Sequence, residues 1–174
     1  MDAVDDISIK LNGRDVDALR EDLVDAIVAS EVRYAIAKKE GYPVLADTKD
    51  WGIAVAGNSV MVELGWLDDE SNREAARRFL KATIEGMAIF HQDKDLALQV
   101  MAKWNGITDS EVANIVYERG KSLEHKPYPC YDGIENTLEL YDSNEMRQFS
   151  AGDFYDDTLI RELDDSGFID AFFE

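Results

Sequence analysis

Two histidines, one cysteine and 37 carboxylates are the side chains of this 174-residue chain most able to do chemistry. His91 follows Phe90 at the end of an apolar helical stripe. An imidazolium there meets the negative end of a helix dipole, so a structural role accounts for it. His125 sits in a polar loop far along the chain, and no His-x-x-x-His pair offers the start of a zinc site. Cys130, in HKPYPCYDG, has no second thiol with which to build a disulfide or a thiolate metal site. Asp68, Asp69 and Glu70 lack the alternating ligands and central glycine of a calcium loop. They read as charge at a helix N-terminus, and Asp164 and Asp165 are read the same way. No nucleophile elbow, phosphate-binding glycine loop or dinucleotide fingerprint occurs. The chain is therefore expected not to be an enzyme, with no catalytic residue, metal or cofactor assigned.

Binding is a different matter, because it needs only well-placed polar and aromatic groups. Ser30 and Glu31 follow the apolar run Ala26–Ala29 and open a helical pattern. Beyond the carboxyl end of a buried parallel strand, exposed amides at a helix start favour polar or anionic ligands. Their ordinary role would be to cap that helix and complement its dipole. Asn58 and Ser59 form a second polar pair, otherwise read as a plain turn after Gly57. Trp51 lies where the texture of the chain changes, placed to stack on a ligand from a cleft wall. Trp66 and Trp104 read as packing residues, Trp104 as part of a core stripe.

The elements that would position these residues follow a pattern. Ile7, Ile9 and Leu11 alternate like a half-buried strand before Asn12-Gly13 turns the chain. A short helix through Val16, Leu19 and Leu23 precedes the Ala26–Ala29 strand. A second helix buries Val32, Ala35 and Ile36 and stops at Gly41; Pro43-Val44-Leu45 supplies the next strand. Two β-α-β units imply parallel strands with right-handed crossovers. Residues 52–64 are extended and weakly alternating, with a bend expected at Gly57-Asn58. Beyond Leu67 the pattern is helical. Ser71 with Glu74 and Thr108 with Glu111 suggest capping boxes. Stripes run through Ala76–Ala88, Ala97–Trp104 and Val112–Val116. After Pro127 and Pro129, helices through Ile134–Tyr141 and Leu159–Leu163 complete the chain, the last closed by Gly167.

Composition bounds the partners. A net charge of −19 and a pI near 4.3 repel nucleic-acid phosphate and anionic lipid surfaces. Aspartate exceeds glutamate and the acid is spread along the whole chain, a pattern that suits high salt, where screening cancels self-repulsion. No apolar run is long enough to span a membrane and no charged-then-apolar leader follows Met1, so the chain as given is expected to stay where it is made.

The order of elements resembles the solute-binding proteins of ABC importers for nitrate, alkanesulfonates, taurine and thiamine-pyrimidine precursors. The likeness is carried by Val24-Asp25-Ala26, by Gly41-Tyr42-Pro43-Val44-Leu45-Ala46-Asp47 and by the crossing through Asn58-Ser59. Glu74-Ala75-Ala76-Arg77-Arg78-Phe79-Leu80 with Glu85-Gly86, Tyr128-Pro129, and Phe154 to Phe168 extend it. The resemblance implies an α/β, type II periplasmic-binding-protein-like fold, in part: parallel β-α-β units followed by a helix-rich C-terminal part. Residues 1–50 would be the latter part of the second lobe, 51–66 the return hinge and 67–174 the helical part of the first lobe. It also implies a C-terminal portion of an extracytoplasmic receptor that captures a small polar or anionic solute and delivers it to an ABC permease. Ser30, Glu31, Trp51, Asn58 and Ser59 would be its ligand-binding residues. The alternative is a truncated structural or interaction protein that pairs with itself, as a homodimer, or with a separate first-half chain, and binds no solute by itself.

Overall fold

A computed structural model of the chain describes residues 15–63, 65–141 and 143–173. The expected Ile7–Leu11 strand and Asn12-Gly13 turn lie outside the described residues. Seven α-helices appear among those described: α1 (Val16–Arg20), α2 (Glu31–Lys39), α3 (Glu70–Gln92), α4 (Lys94–Asn105), α5 (Ser110–Gly120), α6 (Tyr131–Leu140) and α7 (Thr158–Asp165). Short 3-10 turns lie between and after them, and no described residue is in a strand.

This corrects the expected α/β, periplasmic-binding-protein-like fold with its parallel β-α-β units. The two apolar runs expected as strands are irregular and largely exposed: Val28 is 90 % accessible and Leu45 81 %. A parallel strand is stable only with neighbours on its edges and helices over both faces. Pro43 has no amide to give to a ladder, and four apolar residues in a row do not by themselves separate strand from coil or helix.

The chain divides into two compact units, Met1–Leu45 with Asp93–Ser122, and Ala46–Gln92 with Leu123–Glu174. In the first, α2 packs on α5, with α4 and α1 completing the group. Its core is small: Val16, Ala18, Ala35, Ala97, Met101, Ile107, Val112, Ala113 and Tyr117. Ala35 is the only buried residue of α2, and so short a side chain lets helix axes approach closely. Charged groups frame this core. Arg20 pairs with Asp17 and Glu40, and Lys39 with Asp109, while the Arg119 guanidinium lies 4.1 Å from the Tyr34 ring centre. Trp104, expected in the core, is 74 % exposed; with Val100 it forms an outward stripe on α4.

In the second unit the long helix α3 carries Ile84 into a cluster with Ile160 and Leu163 of α7 and Ile169, edged by Leu80, Phe168, Phe172 and Phe173. Arg73 and Arg77 both reach Glu162 on α7, at 2.6 and 2.8 Å. The helix starts where Asp69 accepts the Ser71 and Asn72 amides, at 2.8 and 3.2 Å, so the cap lies two residues before the expected Ser71. The same correction holds for α5 in the first unit. There the Asp109 carboxylate, not Thr108, accepts the Glu111 and Val112 amides, both at 3.0 Å. A carboxylate both takes the orphan amides and complements the dipole, and so outcompetes a neighbouring hydroxyl.

Candidate functional site

Residues 53–62 are a segment without turn, bend or ladder in the second unit. The chain enters it from the 3-10 turn Thr48–Trp51, where Asp47 accepts the Lys49 amide at 3.1 Å and Gly52 adopts φ 63°. That left-handed conformation favours glycine. The bend expected at Gly57-Asn58 is not formed. Ile53, Val55, Val60 and Val62 are β-branched and suit an open, strand-like backbone.

Helix α6 holds one side of this segment. Gly133 and Asn136 lie three residues apart and so share a helix face. Asn136 Nδ2 donates to the Ala54 carbonyl at 2.9 Å. A Cβ on Gly133 would stand 2.3 Å from the Ala56 nitrogen and 2.5 Å from the Val55 carbonyl carbon. Only glycine admits backbone that close. Ala54 and Ala56 are half-buried, whereas Ile53, Val55, Val60, Met61 and Val62 are exposed. Among the described residues, none from 53 to 62 makes a backbone–backbone hydrogen bond. Apart from the Ala54 carbonyl held by Asn136, the segment thus combines apolar side chains with unspent main-chain donors and acceptors, the two ingredients of strand addition. Gly133 and Asn136 were not among the residues singled out from sequence. The available signal was a glycine inside a helical pattern, which marks close backbone approach.

The five residues expected to bind solute are all exposed and fall in different units: Ser30 and Glu31 in the first, Trp51, Asn58 and Ser59 in the second. Ser30 is the N-cap of α2 by backbone conformation, though its hydroxyl makes no capping bond, and Glu31 has a left-handed φ of 49°. Trp51 is 58 % accessible at the end of its 3-10 turn. Asn58 and Ser59 lie in the middle of the uncharged segment.

Elsewhere the groups with chemical potential are engaged structurally. The two histidines, distant in sequence, meet with ring centres 4.8 Å apart, and His125 stacks on Phe173 at 4.0 Å. His91 also sits edge-on to Phe90 in the last turn of α3. No group of three metal-capable side chains assembles among the described residues. Asp164 and Asp165 end α7 rather than begin a helix. The dipole disfavours a carboxylate there, and Lys126 at 2.6 Å with the Tyr128 hydroxyl at 2.8 Å offset it, holding the Asp164 carboxyl below its usual range. Asp69 is likewise lowered by the Ser71 hydroxyl and the Ser71 and Asn72 amides. Cys130 is exposed at the N-cap of α6. An open apolar groove of about 310 Å³ runs along α3, lined by Thr83, Gly86, Met87, Phe90, His91 and Leu123. No lysine or arginine lines it. No polar or charged residue is buried as a whole among the described residues, although the Nε2 atom of His91 is buried beside this groove.

Comparison of the chain with protein-family models, with curated proteins and with solved structures returns no match. No described helix is long and apolar enough to cross a membrane.

Proposed function

We propose that the chain is an interaction protein that docks another polypeptide on its uncharged segment 53–62. The single observation that carries this reading is the combination found there. Exposed Ile53, Val55, Val60, Met61 and Val62 stand beside main-chain groups that no other described backbone group satisfies. An extended polypeptide meets both needs at once, its backbone supplying hydrogen bonds and its side chains apolar contact. A small solute such as nitrate, a sulfonate or a pyrimidine meets neither. Those solutes need a few convergent polar groups in a concave, largely desolvated site. The reading of the chain as part of an ABC-importer receptor draws its cleft from the carboxyl ends of parallel strands, and the described residues supply no such ends.

The test is a solute panel in molar KCl, with nitrate, taurine, an alkanesulfonate and pyrimidines each titrated while thermal unfolding is followed. A ligand that binds only the native state raises the midpoint by mass action. The docking reading predicts an unchanged midpoint throughout. A rise that saturates with any one solute would overturn it in favour of solute capture.

A further inference from the structure

We infer that the polypeptide docked on residues 53–62 is the same segment of a second copy of this chain, paired antiparallel about a two-fold axis at Asn58. This rests on the docking reading above and names its partner. Charge is the first argument. No residue between Asp50 and Glu63 is charged, the longest such run in a chain whose net charge is −19. A basic partner, which the molecule as a whole attracts, finds no carboxylate on this run to pair with. A second copy needs none. It is repelled elsewhere on the surface and meets no like charge here.

Side-chain parity is the second argument. Two-fold symmetry in an antiparallel pair requires odd residues to face odd and even to face even, because both members of a pair share a face of the ladder. With Asn58 opposite its own copy, Val55 lies opposite Met61 and Ala56 opposite Val60. Ala54 lies opposite Val62, and Glu63 opposite Ile53, so no charge faces a like charge. Small residues then meet large ones on the even face, where Ala54 and Ala56 are half-buried. On the odd face, Val55 and Met61, 66 % and 87 % accessible in the single chain, cover one another. Such aliphatic cross-strand pairs stabilise a ladder. The edge remote from Asn136 is the one left for pairing. Salt governs the association, since screening removes the repulsion between two strongly acidic bodies while leaving apolar contact intact.

Sedimentation and cross-linking test this on the full chain. In molar KCl the wild type is expected to be a dimer and to dissociate at low salt. Val55→Glu, a change at a position exposed in the single chain, raises the dissociation constant at least about tenfold by burying a charge in the ladder. Its circular dichroism stays that of the wild type. In a Cys130→Ser background, Asn58→Cys forms an intermolecular disulfide under mild oxidation, whereas Ile53→Cys and Val62→Cys do not. Cross-linking at all three positions, as in a parallel pair, would overturn the proposal, as would a dimer indifferent to Val55→Glu. A wild type that is monomeric at every salt concentration overturns self-pairing too. It leaves the docking reading standing, because the solute panel reports on the single chain.

Discussion

At the scale of single residues, Gly133 matters most. Adding one methyl group there drives a carbon to within 2.3 Å of the Ala56 nitrogen, and backbone cannot yield as a flexible side chain does. Either the segment lifts from α6 or the helix shifts. Gly133→Ala is therefore expected to destabilise the second unit by about 1–3 kcal/mol, the usual cost of overpacking, although alanine is the better helix former. Urea denaturation followed by far-ultraviolet circular dichroism measures it. Gly86→Ala is the matching control, since the space around Gly86 is open and the change is expected to stabilise α3 slightly. A Gly133→Ala protein as stable as the wild type would mean that the segment does not rest on α6.

Among the elements, the helices were legible in the sequence, whereas the strands expected at Ala26–Ala29 and Pro43–Leu45 do not form. Their stripes are long enough to reveal a period, and Gly41, Gly106 and Gly167, all with positive φ, stop them where expected. The stripes were less reliable about depth. Ile84 and Met101 are buried, while Phe79, Val100 and Trp104 on the same stripes are exposed. Periodicity gives the face of a helix but not whether another element covers it. The runs Ala26–Ala29 and Pro43–Leu45 carried too few residues to distinguish a strand from an exposed linker. Of the candidate site, residues 53–62 were legible as open chain. Their anchorage on Gly133 and Asn136 depends on a contact between distant parts of the sequence, which no local pattern reports. Caps were displaced by a residue or two because the sequence offers a carboxylate beside each hydroxyl. Asp109 illustrates the consequence. Lys39 and the Val112 and Glu111 amides hold its carboxyl below the usual range. A depressed folded-state value means stabilisation present above the unfolded value, near about pH 4, and lost as pH falls through the folded value. Asp109→Ala should thus unfold roughly 2–4 °C below the wild type at neutral pH, a typical shift for a lost cap in a chain this long. The gap should close once the medium is more acidic than the folded-state value. Comparing the two proteins at each pH largely cancels the general relief of self-repulsion as other carboxylates protonate. A gap that widened on acidification would contradict the assignment of Asp109 as the charged cap.

For the whole molecule, a strongly acidic chain builds two modest apolar cores from helices and leaves one uncharged segment that makes no backbone–backbone hydrogen bond among the described residues. The proposed docking rests on that contrast, so the segment must be open in the isolated chain. Hydrogen exchange resolved by residue, in dilute protein at low salt where association is suppressed, tests this directly. Amides of residues 53–62 are predicted to exchange at nearly the rate of an unstructured peptide, while those around Ile84 in α3 and Val112 in α5 are protected. Slow exchange at 53–62 under those conditions would place the segment in a ladder within its own chain. That result would contradict the account, since nothing would then remain for a partner strand to satisfy.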